Sequence, residues 1–117
     1  MCCAVYKLDT EGNFTILHEF TGGAQGEDPY AGLTRDAAGN LYGTTVGGGG
    51  TSCAPNGCGI VFMLEPSGKF TILHSFTGGV DGSEPNAPLT LDSSGNLYGI
   101  ATNRGAHNEG VIFKISR

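Results

Sequence analysis

Apolar and polar residues alternate along most of this chain in short runs, and the runs return in register. Phe14–Phe20 reads F-T-I-L-H-E-F and Phe70–Phe76 reads F-T-I-L-H-S-F. Strict alternation places Phe14, Ile16, His18 and Phe20 on one face of a strand, and Thr15, Leu17 and Glu19 on the other. Further strands are expected at Ala4–Leu8, Leu33–Asp36, Asn40–Thr45, Ile60–Leu64 and Val111–Ile115. The segments D-T-E-G-N, D-A-A-G-N, E-P-S-G-K and D-S-S-G-N between strands are short and rich in turn formers, so they read as hairpin turns.

The register is fixed at 56 residues. Val5 answers to Val61, Leu33 to Leu89, and G-N-L-Y-G at Gly39–Gly43 returns at Gly95–Gly99. A constant period of this size marks a repeat architecture. The expected fold class is all-β: a β-propeller built from about two four-stranded blades per chain. The chain divides into repeat 1 over 4–59, repeat 2 over 60–110 and a partial third repeat over 111–117, all within one segment, 1–117. A propeller needs one long crossover per blade, from the outermost strand to the next innermost one. The longest regular connection lies between Phe76 and Leu89. That orders a blade as L-T-x-D innermost, N-L-Y-G second, I-V-F-M-L third and F-T-I-L-H-x-F outermost. Crossovers and the Gly/Cys loop then share one face, and the short turns share the other.

This phase starts the chain in mid-blade, and two blades cannot close a ring. The chain is expected to form a homo-oligomer by strand exchange, with Phe14–Phe20 of one copy completing the last blade of another. A homotrimer with six blades is the preferred ring. The strand of the third kind then occurs twice, as Ala4–Leu8 and Val111–Ile115, and one copy must be displaced.

Composition narrows the function classes. Six Lys and Arg against eleven Asp and Glu give a net charge of −5, which argues against a nucleic-acid partner. No apolar run is long enough to span a membrane. The pair Cys53 and Cys58 sits in a Gly-rich loop. A small disulfide-closed loop competes there with zinc. Zinc needs two further ligands, and the histidines are not at finger spacing, so the disulfide is favoured. It implies an extracellular or periplasmic origin, although no signal peptide opens this chain.

The candidate chemistry lies in the loops. His18 and His74 recur with the repeat and read as packed histidines bonded to backbone. Asp36 and Asp92 precede x-x-G-N and read as turn-holding carboxylates. Gly47–Gly50 lacks the G-K-[ST] of a phosphate loop, and no G-x-S-x-G is present. The crossovers carry Glu27-Asp28-Pro29-Tyr30 and Ser83-Glu84-Pro85-Asn86. Asp28, Glu84 and Asn86 offer hard oxygen ligands suited to calcium. His107, in a loop on the same face with no counterpart in the other repeat, is the candidate acid/base.

The blocks G-N-L-Y-G-T-T, F-T-I-L-H-S-F-T-G-G-x-D-G, P-x-A-x-L-T-x-D and the C-x-x-x-x-C-G-x-V-F loop resemble the Gloeobacter/Verrucomicrobium-type ("GloVer") repeat of bacterial exported proteins. The resemblance spans nearly the whole chain. It implies a propeller-like fold in tandem arrays and carries over no catalytic residues. Cys2 aligns with Cys58, which suggests a start inside a loop of a larger array. Gln25 stands where the second copy has Asp81. Two functions follow as expectations. One is a small calcium-dependent hydrolase of lactones or esters at the channel mouth, by analogy with six-bladed lactonases. The other is a non-catalytic carbohydrate- or surface-binding module. The ligand is a small molecule in the first case and a carbohydrate in the second.

Overall fold

The structure, a computed structural model, describes residues 3–50, 53 and 57–116. Its strands form three antiparallel sheets. The first pairs β1 (Cys3–Leu8) with β2 (Phe14–Phe20). The second runs β3 (Thr34–Arg35), β4 (Leu41–Thr45), β5 (Ile60–Leu64) and β6 (Phe70–Ser75), in that order. The third holds β7 (Ser83–Pro85), β8 (Thr90–Leu91), β9 (Leu97–Asn103) and β10 (Val111–Ile115). Among the described residues no helix is long and apolar enough to cross a membrane. Cys2, aligned above with Cys58, lies outside the described residues.

The second sheet has the strand order that loop lengths alone suggested: L-T-x-D, N-L-Y-G, I-V-F-M-L, F-T-I-L-H. The short turns explain how each hairpin closes. In D-S-S-G-N the Asp92 Oδ1 accepts the N–H groups of Ser94 and Asn96, both at 2.9 Å. Its Oδ2 accepts the Asn96 amide at 3.2 Å and the Tyr98 hydroxyl at 3.0 Å. Asp36 repeats this with Ala38, Asn40 and Tyr42. Gly95 and Gly39 supply the left-handed residue of each turn, at φ 88° and 89°. These hydrogen bonds hold both carboxyls below the ordinary carboxylate range; the largest contribution comes from the Asn40 side chain at Asp36 and from the Asn96 N–H at Asp92. One four-residue spacing thus satisfies a whole turn, and the tyrosine ties it to the next strand.

β5 explains why the sheets stack. Its residues alternate, yet Ile60, Val61, Phe62 and Leu64 are all buried. Ile60, Phe62 and Leu64 join Val5 and Phe20 in a cluster against the first sheet. Val61 joins Tyr42, Phe76, Leu89, Leu97 and Ala101 in a cluster against the third. A strand apolar on both faces belongs between two layers. Phe62 stacks on Phe70 and meets the edge of Phe20, each at 5.3 Å between centroids. Gly43, its cross-strand partner, leaves room for the ring: a Cβ there would lie 2.7 Å from Phe62 Cζ.

Two features depart from the simple pattern. Val5 pairs with His18 and Tyr6 with Ile16, so Leu17 is an extra residue. The same shift recurs between Val61 and Phe62, opposite Leu73. Each is a β-bulge. It turns Phe14 and Ile16, both exposed, away from the side on which Phe20 is buried. The four residues expected on one face therefore divide between two. The crossover, expected as loop, also contains a strand. β7 pairs with β9 through Ser83↔Asn103 and Pro85↔Ala101, while β8 pairs with the other end of β9. Two short segments together occupy one strand position. In the first copy a single bridge, Glu27↔Gly47, stands in the place of β7.

Candidate functional site

The long connections meet one another at one end of the sheets. Glu27 N–H donates to Gly47 O at 3.0 Å, and Gly49 N–H to Gly23 O at 2.7 Å. Glu84 N–H donates to Cys58 O at 2.8 Å, and Gly105 N–H to Gly79 O at 3.0 Å. Crossovers, the cysteine loop and the His107 loop thus form one surface. Cys53 and Cys58 are joined by a disulfide with their Cα atoms 5.1 Å apart. Closing so short a loop contributes about 2 kcal/mol in the chain-entropy account. The bond lies against Gly78 of the crossover, where a Cβ would fall 2.6 Å from Cys53 Sγ.

Asp28 and Glu84 stand at one repeat position, and both have left-handed backbone, φ 59° and 57°. Non-glycine residues rarely adopt this conformation, and such strain gathers at functional sites. Each is pinned by its neighbours: Asp28 O accepts the Val46 N–H at 3.0 Å, and Glu84 O accepts the Thr102 hydroxyl at 2.9 Å. Glu84 Oε2 also accepts the Asn103 amide at 2.6 Å. Asn86 is exposed just beyond β7. His107 is exposed in the turn closed by Asn108 N–H to Gly105 O. Among the described residues no three His, Cys, Asp or Glu side chains come together to hold a metal ion. Asp28 is attached to the second sheet, and Glu84 and Asn86 to the third.

The repeated histidines have different surroundings. His74 Nε2 lies 3.0 Å from Asp81 Oδ2, rather than being tied to backbone through that nitrogen. The Thr77 hydroxyl and N–H also reach the Asp81 carboxylate. Burial pulls the Asp81 carboxyl up, but the Thr77 and His74 bonds outweigh it and hold it below its ordinary value. In the first copy Gln25 replaces this carboxylate and accepts from Thr21 instead. His18 Nε2 is buried with no partner among the described residues, while its ring stacks on Phe70 at 4.0 Å. Burial lowers the His18 pKa. The sequence signal for this was the Asp81-to-Gln25 difference. Nothing in the sequence marked Asn103 and Thr102, which hold Glu84.

A pH effect follows. A histidine with lowered pKa favours its neutral form in the fold. Above the unfolded value, about 6.5, both states are neutral and His18 leaves stability independent of pH. Below it the unfolded chain binds the proton more readily, so stability falls as pH drops. Gln25→Asp should restore the carboxylate, raise the His18 pKa and shrink the loss of melting temperature between pH 7.5 and 5. Histidine NMR titration alongside thermal melts checks both; an unmoved His18 titration would refute the geometry.

Stacked antiparallel sheets and a loop surface that recurs at fixed spacing define an all-β repeat protein. The sequence profile described as the Gloeobacter/Verrucomicrobia repeat matches residues 3–117, and the chain belongs to that family. No curated protein and no solved structure matches it.

Proposed function

We propose that the chain is a segment of a β-propeller whose ring is completed by further copies, and that its long-loop face is a calcium-dependent site for hydrolysing lactones or esters. The observation carrying this reading is the paired strain at Asp28 and Glu84. Two carboxylate-bearing residues, one per repeat, are held in the same costly conformation on the face where all long loops meet. In a ring this position would recur around the axis and bring carboxylates together that one chain keeps apart.

The donor chemistry fits a hard cation. Asp28 and Glu84 offer carboxylate oxygens and Asn86 an amide oxygen, the ligand types calcium takes. Asn103 engages one Glu84 oxygen and fixes the carboxylate's direction. Bound calcium would polarise the substrate carbonyl. His107, exposed on the same surface, would accept a proton from the attacking water. The experiment is turnover of a lactone and ester panel with and without EDTA, with calcium binding followed by calorimetry. Chelator-sensitive turnover is expected, with at least a tenfold loss in Glu84→Gln. Turnover indifferent to EDTA would end the calcium mechanism.

One observation favours a second reading, a carbohydrate-binding module. Tyr30 follows the Asp28-Pro29 crossover and is exposed, an aromatic surface beside polar loop groups. Glycan binding without turnover would establish that reading instead.

A further inference from the structure

The repeat provides an internal standard: each position near a chain end has a counterpart inside. The last sheet exposes Ile112 at 82% and Ile100 at 48%. They are cross-strand partners, so they share a face. Their counterparts Val61 and Thr44, also cross-strand partners, are 0% and 2% exposed because the third sheet covers them. On the other side, Leu33 is 42% exposed, whereas its counterpart Leu89 is 4% and packs in the cluster between sheets two and three. Leu33 borders a cleft of about 790 Å³ between β1 and the β3–β4 hairpin, lined also by Leu17, Leu41, Leu64 and Arg35. Among the described residues the first sheet has two strands, and none of them takes the place over β3 and β4 that β3 and β4 themselves take beneath β8 and β9.

From these pairs we infer that the cleft receives β8, β9 and β10 of a second copy, and that β10 takes the position of β1 beside β2. The inference deepens the ring reading above by naming the surfaces that join the copies. The sequence and loop order name Phe14–Phe20 as the exchanged strand and leave open whether Ala4–Leu8 or Val111–Ile115 is displaced; they do not name the faces that meet. The faces match one for one. Ile112 of the incoming copy occupies the slot of Val5, which is its counterpart and now packs on Ile60 and Phe62. The hydroxyl of Thr34 donates to Leu89 O across the internal junction. Its counterpart Thr90 is exposed and stands in position to donate to Leu33 O of the other copy. His18 stacks on Phe70 at the first junction. His74 would stack in the same way on Phe14 of the other copy, which is exposed here. Strand pairing is exchanged like for like, because β10 has an open edge and replaces β1 along β2. The net gain is burial of Leu33, Leu41, Ile100 and Ile112. The two surfaces differ, so the contact is head-to-tail, and it forms rings or open chains of copies.

The test is sedimentation of the intact chain with two surface variants, Ile112→Lys and Leu33→Lys. Each blocks one surface and leaves the other whole. Wild type should sediment as multiples of 12.0 kDa, and each variant alone as a folded monomer that melts cooperatively, at a temperature no longer dependent on concentration. Mixed in equal amounts, they should form a 1:1 dimer through the one intact pair of surfaces. In the assembled wild type, the His74 ring protons should shift with concentration as Phe14 arrives, and Phe14→Leu should remove that shift. A monomeric wild type, assembly unaffected by either lysine, or a mixture that stays monomeric would each overturn the inference. So would assembly without the His74 shift. None of these outcomes depends on turnover, so the hydrolytic reading stands or falls separately.

Discussion

Phe62→Ala is expected to lower stability by about 3–5 kcal/mol. Phe62 is fully buried, and its ring meets Phe20 and Phe70 while covering Gly43. Losing the ring removes a central part of the cluster that joins the first sheet to the second, alongside Ile60 and Leu64. Domains of this size hold only about 5–15 kcal/mol in total. Each kcal/mol lost lowers the melting temperature by roughly 4–8 °C. Its counterpart Phe113 covers Gly99 in the same manner and packs edge-on to Phe76. Phe113 is only partly buried, so Phe113→Ala should cost less. Thermal denaturation of the two variants measures the difference. Equal losses would show that the first junction is no better packed than the second.

Gly59→Ala should be nearly as damaging, at about 3 kcal/mol or more. Gly59 has φ 95°, which an L side chain adopts only with strain. A Cβ there would lie 2.3 Å from Thr45 O and 2.7 Å from Pro85 Cδ. Backbone that close cannot swing aside as a side-chain tip can. The residue also donates to Gly48 O and accepts from Phe76 N–H, so it fastens the cysteine loop, β5 and β6 at one point. Chemical denaturation measures the loss. Gly50→Ala serves as control, because its φ is not positive and a Cβ there meets nothing within 4 Å. Similar stabilities for the two variants would refute the steric argument.

Much of this fold was legible because one set of constraints is written twice. The 56-residue register aligned Asp36 with Asp92 and Tyr42 with Tyr98, and both pairs make the same hydrogen bonds. Loop length alone ordered β3 to β6. The bulges at Leu17 and Leu73 were not legible, because an extra residue leaves an apolar run unchanged in composition while reversing its faces. β7 was hidden for a related reason: Ser83-Glu84-Pro85 has little strand propensity, and it is held by β9 rather than by its own residues. The sequence picked out Asp28 and Glu84 as loop acids, but their shared left-handed backbone depends on the partners that pin them. Asn103 and Thr102 lie 18–19 residues from Glu84, beyond any local pattern.

The aspartate turns also bear on the order in which the chain folds. Every bond of the Asp92 network closes within six residues, as does every bond at Asp36. Such contacts cost little loop entropy, and hairpins closed this way form in about 1–10 μs. The crossover bonds, such as Glu84 N–H to Cys58 O, span far more chain. Hairpins therefore precede docking, and a newly made repeat can hold its turns before the sheet that will cover it exists. The docking of preformed sheets is thus the expected slow step in folding, with the long-loop face the last part to take shape.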